Sequence, residues 1–213
     1  VAGGGIGLST KSGLAWYFDN GGKELYDQLW SEMGMNVKGF VMASSGPEAL
    51  GWFKEPIKNM DDFRKYRFRT PPGIPGQTYK DIGIASVSLS GGDILPALEK
   101  GTIDAAEWCC PKPDSVFGFQ KVLKNYYLQG LHQNVVNGDI YINGDVYNSL
   151  TDHQKYAMEV ASEAMITRNI TNRAVENGKA LIDLTENHGV KLWDTPADYF
   201  TEYMNAAQAT LKK

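Results

Sequence analysis

The sequence predicts an α/β protein whose chain passes between two lobes, and two patterns carry this prediction. Strand-like and helix-like segments alternate between residues 66 and 108, which is typical of α/β units with parallel pairing. Farther along, one helical pattern runs from Asp152 to about Asn187. Roughly 36 residues at about 1.5 Å each make a rod about 54 Å long. Such a rod exceeds the diameter of a compact domain of this size, so we expect the helix to join two lobes.

The composition is that of a globular chain, and it argues against several classes of protein. The 213 residues are 42% hydrophobic and 22% charged, with a formal net charge of −4. No half of the chain is strongly basic, so we expect no nucleic-acid partner, whose phosphates would need neutralising. No apolar run reaches the roughly 18 residues of a membrane helix. The only cysteines, Cys109 and Cys110, are adjacent, which predicts neither a disulfide framework nor a four-ligand zinc site.

The first part of the chain predicts a short mixed region. Residues 1–7 hold a glycine run without the features of a phosphate loop or a dinucleotide site, so we interpret it as a flexible lead-in. The chain starts without an initiator Met or a signal peptide, which indicates a processed or truncated chain. Helices are predicted from about Ser12 and over about Gly22–Met33, a strand over Val37–Met42, and a turn over Ser44–Pro47.

Short elements follow one another through the middle of the chain. Tyr66–Arg69 alternates apolar and basic residues, which predicts a strand. The adjacent prolines in Thr70–Gly76 predict a loop, because neither can donate to a strand ladder. The other elements predicted here are a short helix opening at Met60, a helix over Gly76–Ile82, a strand over Ala85–Leu89, a helix over Ile94–Lys100 that Gly101 ends, and a strand from Ile103 towards Trp108.

The last part of the chain is dominated by the long helix. A strand is predicted over Val135–Ile142, ahead of this helix. The helix is capped at its start by Leu150–Asp152 and ended by Gly189. A pair of helices broken near Asn172 or Gly178 is the alternative.

The sequence shows no motif for nucleophilic or histidine-metal chemistry. His132, His153 and His188 lack the spacing of a histidine metal motif, and no Gly-x-Ser-x-Gly elbow is present. Cys109 has no basic neighbour closer in the sequence than Lys112, so nothing local lowers the pKa of its thiol. A hydrolytic triad would therefore need tertiary contacts that the sequence does not reveal.

Two positions at strand ends are candidates for ligand binding. Arg69 precedes the rigid Thr-Pro-Pro-Gly loop, and a preorganised guanidinium suits a carboxylate. The alternative is a surface arginine in a salt bridge. Glu107 and Trp108 end a predicted strand, where ligands bind in α/β sheets, and a carboxylate there suits a hard cation. The alternative for Glu107 is a solvated acid, and for Glu48 an acid at a helix start.

Several segments, taken together and in order, resemble a known family. They are Gly46–Ile57, Arg67–Gly73, Gly92–Trp108 and Tyr126-Tyr127. They resemble the extracytoplasmic solute-binding proteins of tripartite ATP-independent periplasmic (TRAP) transporters, in the branch that binds 2-oxo acids and lactate. The resemblance implies a two-lobed, periplasmic-binding-protein-like fold with a long helix bridging the lobes. It also implies a periplasmic protein that is not an enzyme and that has no catalytic cofactor.

The resemblance also implies a site for a small carboxylate such as pyruvate or lactate. Arg69 matches the arginine that pairs with the substrate. Glu107 and Trp108 match a pair that holds a cation, calcium or sodium, with Trp108 using its carbonyl, and Trp108 is also expected to contact the substrate. Glu48 stands where glutamine is usual, as a further ligand of substrate and cation. A second anionic ligand should favour a divalent ion.

The resemblance extends to the organisation and partners of the protein. It implies that residues 1–42 and 135–175 form part of lobe I, and that residues 43–134 and 176–213 form lobe II. Lobe I is expected to be incomplete, because an N-terminal part of the family's chain is missing here. The expected partners are the membrane subunits of a TRAP transporter and a second copy in a homodimer. The alternative function is that of a metal-dependent enzyme acting on small keto acids.

Overall fold

The computed structural model describes residues 8–212, so the glycine run interpreted as a flexible lead-in lies outside the described residues. The helices are α1 Thr10–Asp19, α2 Gly22–Glu32, α3 Met60–Phe63, α4 Ile74–Asp81, α5 Gly91–Glu99, α6 Pro111–Phe117, α7 Gly144–Ser149, α8 Asp152–Asn187 and α9 Ala197–Thr210, with a 3-10 turn at Phe119–Lys121. The strands are β1 Val37–Ser45, β2 Gly51–Phe53, β3 Arg67–Thr70, β4 Ala85–Ser88, β5 Ala105–Ala106, β6 Asn125–Tyr127, β7 Val136–Asn143 and β8 Lys191–Trp193.

The strands form a small sheet and a large sheet. In the small sheet β1 pairs antiparallel with β7, and in the large sheet the order is β4-β3-β5-β2-β6-β8. Strand β3 runs parallel to β4 and to β5, which confirms the parallel pairing predicted for this stretch. Strand β2 is antiparallel to both its neighbours, so the large sheet is mixed. The chain crosses between the sheets through residues 46–50 and again through residues 128–135.

The long helix is continuous, so the alternative of two helices broken near Asn172 or Gly178 is wrong. Helix α8 spans 36 residues and begins with a capping box in which Thr151 and Gln154 satisfy each other's backbone N–H groups. It packs against β1 of the small sheet and against α6, which lies beside the large sheet. The α/β class and the helix that links the two parts of the fold are therefore confirmed.

The core of the large sheet is built on aromatic side chains that leave β2 on opposite faces. Trp52 stacks on Tyr126 with ring centres 4.0 Å apart. On the other face, Phe53 stacks on Phe68 at 5.6 Å. All four rings are fully buried, so the hydrophobic core of the large sheet lies on both sides of β2.

Several local predictions need correction. Strand β1 extends through Ser45, because the residues assigned to a turn pair with the start of β7. The predicted strand from Ile103 shrinks to Ala105–Ala106. Helix α4 starts inside the predicted loop Thr70–Gly76, since Pro75 occupies the first turn, where its missing N–H is harmless. Helix α5 likewise begins before the predicted Ile94.

Two further features bear on function. Within residues 8–212, no helix has both the length and the apolar character needed to cross a bilayer. The lobe boundaries 1–42 with 135–175, and 43–134 with 176–213, stay a prediction.

Candidate functional site

The candidate site lies where the two connections between the sheets pass the ends of β3 and β5. Glu48 is in the connection from β1 to β2, and His132 is in the connection from β6 to β7. The two connections run together, because the Glu48 N–H donates to the Gln133 carbonyl at 3.0 Å. Glu107 follows β5, and its N–H donates to the Arg69 carbonyl of β3 at 3.1 Å.

Two glycines permit this close approach of backbones. Gly51 has a φ of +134°, and a Cβ there would lie 2.7 Å from the Ala106 carbonyl oxygen. At Gly130, a Cβ would lie 2.7 Å from the Glu48 carbonyl oxygen. Both contacts are with backbone, which cannot rotate away, so side chains at these positions would push the site apart.

Arg69 is buried, with 4% of its surface exposed, so the alternative of a surface arginine is wrong. Its Nη1 donates to the Glu107 carbonyl at 2.6 Å and to Glu107 Oε2 at 3.1 Å. Its Nε donates to the Leu89 carbonyl at 3.1 Å. The guanidinium lies over the Trp108 ring, 5.1 Å from the ring centre. These contacts fix the guanidinium, and among the described residues none of them uses Nη2.

Glu48, Glu107 and His132 converge beside Arg69. His132 Nε2 lies 3.5 Å from Glu48 Oε2 and 3.6 Å from Glu107 Oε1. One ligand atom from each of the three residues falls within 4.8 Å of the other two. All three side chains are buried, and these three atoms have no hydrogen-bond partner among the described residues. The alternatives of a solvated Glu107 and a helix-start Glu48 are therefore wrong.

Burial and mutual charge shift the pKa values in this cluster. Burial raises the pKa of Glu48, and the neighbouring Glu107 charge adds to the rise while His132 opposes it. Burial alone would lower the pKa of His132, but the two carboxylates outweigh it and raise that pKa to about 9. Burial also lowers the pKa of Arg69, against the attraction of Glu107 and Glu48. The cluster thus favours a positive charge held between its carboxylates.

A bound cation fits these residues. Buried polar atoms normally find a partner, and three orphaned ligand atoms that face one another would each be satisfied by one ion between them. Two of the donors are carboxylate oxygens and the third is an imidazole nitrogen, both of which are ordinary metal ligands. Glu48, Glu107 and His132 are therefore the residues that would hold a metal.

His132 was not predicted as a site residue. Its Nδ1 lies 3.3 Å from the Tyr79 hydroxyl, which lies 3.1 Å from the Tyr199 hydroxyl. Only the crossing of the two connections brings it to Glu48, and no local spacing in the sequence signals that contact. Trp108 contacts Arg69 through its ring, and the role of its carbonyl as a cation ligand stays a prediction.

The segment after Glu107 forms the wall of a cavity of about 200 Å³ beside the site. Cys109 and Cys110 line it with Glu48, and their Sγ atoms lie 2.9 Å apart. Arg173 of α8 places Nη1 3.7 Å from Cys109 Sγ and 4.0 Å from Cys110 Sγ. The sequence offers no basic neighbour of Cys109 closer than Lys112, and the fold brings the distant Arg173 of the long helix to both thiols. The cavity is smaller than the roughly 300 Å³ of drug-sized pockets, and Glu48 lines it whereas Arg69, Glu107 and His132 do not.

The chain is similar to extracellular solute-binding proteins. The family profile described as bacterial extracellular solute-binding protein, family 7 (DctP), matches residues 8–213. A protein of Nostoc sp. named monocarboxylate 2-oxoacid-binding periplasmic protein is 33% identical over 206 residues, which are 95% of this chain and 54% of that protein.

Solved structures show the same similarity. A TRAP transporter solute-binding protein from Bordetella bronchiseptica, a dimer with calcium and picolinate in one active site, matches with a TM-score of 0.90 at 29% identity over 99% of this chain and 62% of its own. A TRAP periplasmic solute-binding protein from Colwellia psychrerythraea, with bound calcium and pyruvate, matches with a TM-score of 0.88 at 25% identity over 100% of this chain and 63% of its own. The chain thus spans less than two thirds of the length of each of these relatives, from 54% to 63%.

Proposed function

Because this chain belongs to family 7 of the bacterial extracellular solute-binding proteins, we propose that it captures a small carboxylate for a TRAP transporter. The ligand class is a 2-oxo or 2-hydroxy acid such as pyruvate or lactate, held by Arg69 and by a cation. The family consists of binding proteins, and the protein performs no chemistry on its ligand.

The observation that carries the proposal is the buried guanidinium beside a cluster of orphaned ligand atoms. Taking a carboxylate out of water is costly, and a guanidinium with a cation offsets that cost. Contacts with Glu107 and Leu89 hold Nη1 and Nε of Arg69 in place. Nη2 of Arg69 is then the atom that donates to the carboxylate of the ligand. Glu48 and Glu107 hold the cation, which also contacts the ligand.

The relatives support the ligand class. The Nostoc protein is named for 2-oxo acids, and the Colwellia structure contains pyruvate with calcium. We carry a bound cation, pyruvate-like acids, a periplasmic location and the membrane subunits of a TRAP transporter over to this chain as proposals. Ligand binding closes the two lobes by a hinge motion at the connections that carry Glu48 and His132. The homodimer stays a prediction.

The alternative of a metal-dependent enzyme predicts a turnover that a binding protein lacks. His132 and the carboxylates of Glu48 and Glu107 all have the chemistry of a general base, so the two functions must be distinguished by direct measurement. Incubating the protein with pyruvate and a divalent ion, and following the ligand by NMR, should recover the ligand unchanged. Formation of any product would favour the enzyme.

Calorimetry with pyruvate and lactate tests the proposal. Arg69→Lys keeps the positive charge but loses the planar guanidinium with its several N–H donors. We expect binding to weaken by about 10- to 100-fold, since a charge-assisted hydrogen bond contributes about 1.5–3 kcal/mol. Arg67→Lys on the same strand, where the guanidinium is exposed and pairs with Asp104, should leave binding unchanged. A chelator should weaken binding as well. Equal affinities in the two variants, or indifference to chelation, would refute the site.

A further inference from the structure

We propose that His132 is the third protein ligand of the cation site, and that the site therefore selects a divalent ion that accepts nitrogen, of the zinc class, over calcium or sodium. The inference rests on the proposed function only in placing the ion beside the bound acid. It adds a ligand that the sequence did not reveal, and it changes the class of ion from that found in the relatives.

The distances match the coordination of such an ion. Two ligand atoms at about 2.1 Å from a tetrahedral ion lie about 3.4 Å apart. His132 Nε2 lies 3.5 Å from the Glu48 oxygen and 3.6 Å from the Glu107 oxygen. These separations are long for hydrogen bonds, and none of the three atoms has another partner among the described residues.

The surroundings of His132 orient its free nitrogen towards the carboxylates. The Tyr79 hydroxyl lies 3.3 Å from His132 Nδ1 and 3.1 Å from the Tyr199 hydroxyl, so it can accept a hydrogen from Nδ1. With Nδ1 paired in this way, Nε2 is the nitrogen left to bind an ion, and metal binding displaces any proton that it holds. Without an ion the two carboxylates attract a proton to Nε2, and a divalent cation between the three atoms takes the place of that proton.

The donor set decides the class of ion. Calcium and magnesium take oxygen ligands, whereas imidazole suits zinc and its neighbours among the transition metals. A set of two carboxylates and one histidine leaves a coordination position for the oxygens of a small acid, because three protein ligands are typical of open zinc sites. Calcium would instead need six to eight oxygens, and His132 fills one of its positions with nitrogen.

Metal competition on the purified protein tests the proposal. After removal of metal with a chelator, titrations with Zn²⁺, Co²⁺ and Ca²⁺ are followed by native mass spectrometry and by the visible absorption of Co²⁺. We expect one Zn²⁺ or Co²⁺ per chain, bound at least 100-fold more tightly than Ca²⁺, with an absorption typical of low coordination numbers. Calcium binding as tight as that of zinc would overturn the proposal.

Variants separate this site from other metal-binding groups. His132→Asn should weaken Co²⁺ binding at least tenfold, whereas His153→Asn, at an exposed position near the start of α8, should not change it. The double variant Cys109→Ser with Cys110→Ser controls for zinc held by the thiols and should retain the Co²⁺ spectrum. Loss of Co²⁺ binding in the cysteine variant, or its retention in His132→Asn, would refute the assignment.

A wild-type measurement covers the case in which His132→Asn does not fold. Zinc should shift the imidazole NMR signals of His132 while those of His153 and His188 stay in place, and calcium should shift none of them. Pyruvate binding is measured in parallel. If zinc binds at His132 but pyruvate does not bind, only the proposed function is refuted. If pyruvate binds together with calcium and its affinity is unchanged in His132→Asn, only this inference is refuted.

Discussion

Replacing Gly51 with alanine should destabilise the protein and loosen the site together. Gly51 begins β2, where its φ of +134° is a conformation that residues with a side chain rarely adopt. An added Cβ would lie 2.7 Å from the Ala106 carbonyl oxygen and 3.2 Å from the Glu107 Cα. Both neighbours are backbone atoms, so the strain cannot be relieved by a rotamer change.

The expected cost has two parts. Forcing a residue with a Cβ into this conformation costs about 1–3 kcal/mol. Moving β2 away from β5 to relieve the clash weakens their short pairing, and each hydrogen bond contributes about 0.5–1.5 kcal/mol. We therefore expect Gly51→Ala to lower the free energy of unfolding by about 2–4 kcal/mol.

Urea unfolding followed by tryptophan fluorescence, to which the buried Trp52 contributes, measures this change. Gly178→Ala is the matched control, because a Cβ there meets nothing within 4 Å and lies inside α8. This control should raise the free energy of unfolding by about 0.5–1 kcal/mol, the usual gain of alanine over glycine in a helix. A Gly51→Ala variant as stable as the wild type would refute the close approach of β2 and β5 inferred from the structure.

Two further variants test the buried core. Burial raises the pKa of Asp114 to about 7, although Trp52 and Tyr126 donate to it, against about 3.9 in an unfolded chain. The native state then holds the proton that the unfolded state loses, so the free energy of unfolding should fall by at most about 4 kcal/mol as the pH rises from about 4 to 7. Urea titrations across this range should show a smaller fall in Asp114→Asn, and equal slopes would contradict the buried carboxylate. Phe53→Ala should cost about 3–5 kcal/mol in the same assay, whereas Phe18→Ala, with 37% exposure, should cost far less, and similar losses would contradict the placement of the core.

The parts of the fold predicted from the sequence are those with local signals. The cap at Thr151 and a long apolar repeat predict helix α8, and the structure confirms both of its ends. Strand β8 is the opposite case, because all three of its residues are exposed and only the parallel pairing with β6 makes it a strand. Helix α9 was not predicted, although Tyr199, Tyr203 and Ala207, which it buries, recur every four residues as the apolar face of a helix does.

The residues of the site also fall into those that a local signal predicts and those that only the tertiary fold brings together. Arg69 and Glu107 were predicted because each lies near the end of a strand, and the structure joins them through three hydrogen bonds. His132 and Arg173 belong to a connection and to the middle of a helix, where nothing local marks a ligand or a partner for a thiol. Their roles arise from tertiary crossings between residues far apart in the sequence, which no motif of short spacing records.

The charges of the cluster bear on which ion the site can hold. Glu48 and Glu107 each contribute one formal negative charge and Arg69 one positive charge, and a metal-bound His132 is neutral, so the protein groups around the ion sum to −1. A bound carboxylate adds another negative charge. Sodium would leave the loaded site at −1, whereas a divalent ion brings it to zero, and a buried net charge is costly. Glu48 in place of glutamine therefore favours a divalent ion over sodium, while the nitrogen of His132 favours zinc over calcium, and the two residues restrict the choice of ion independently.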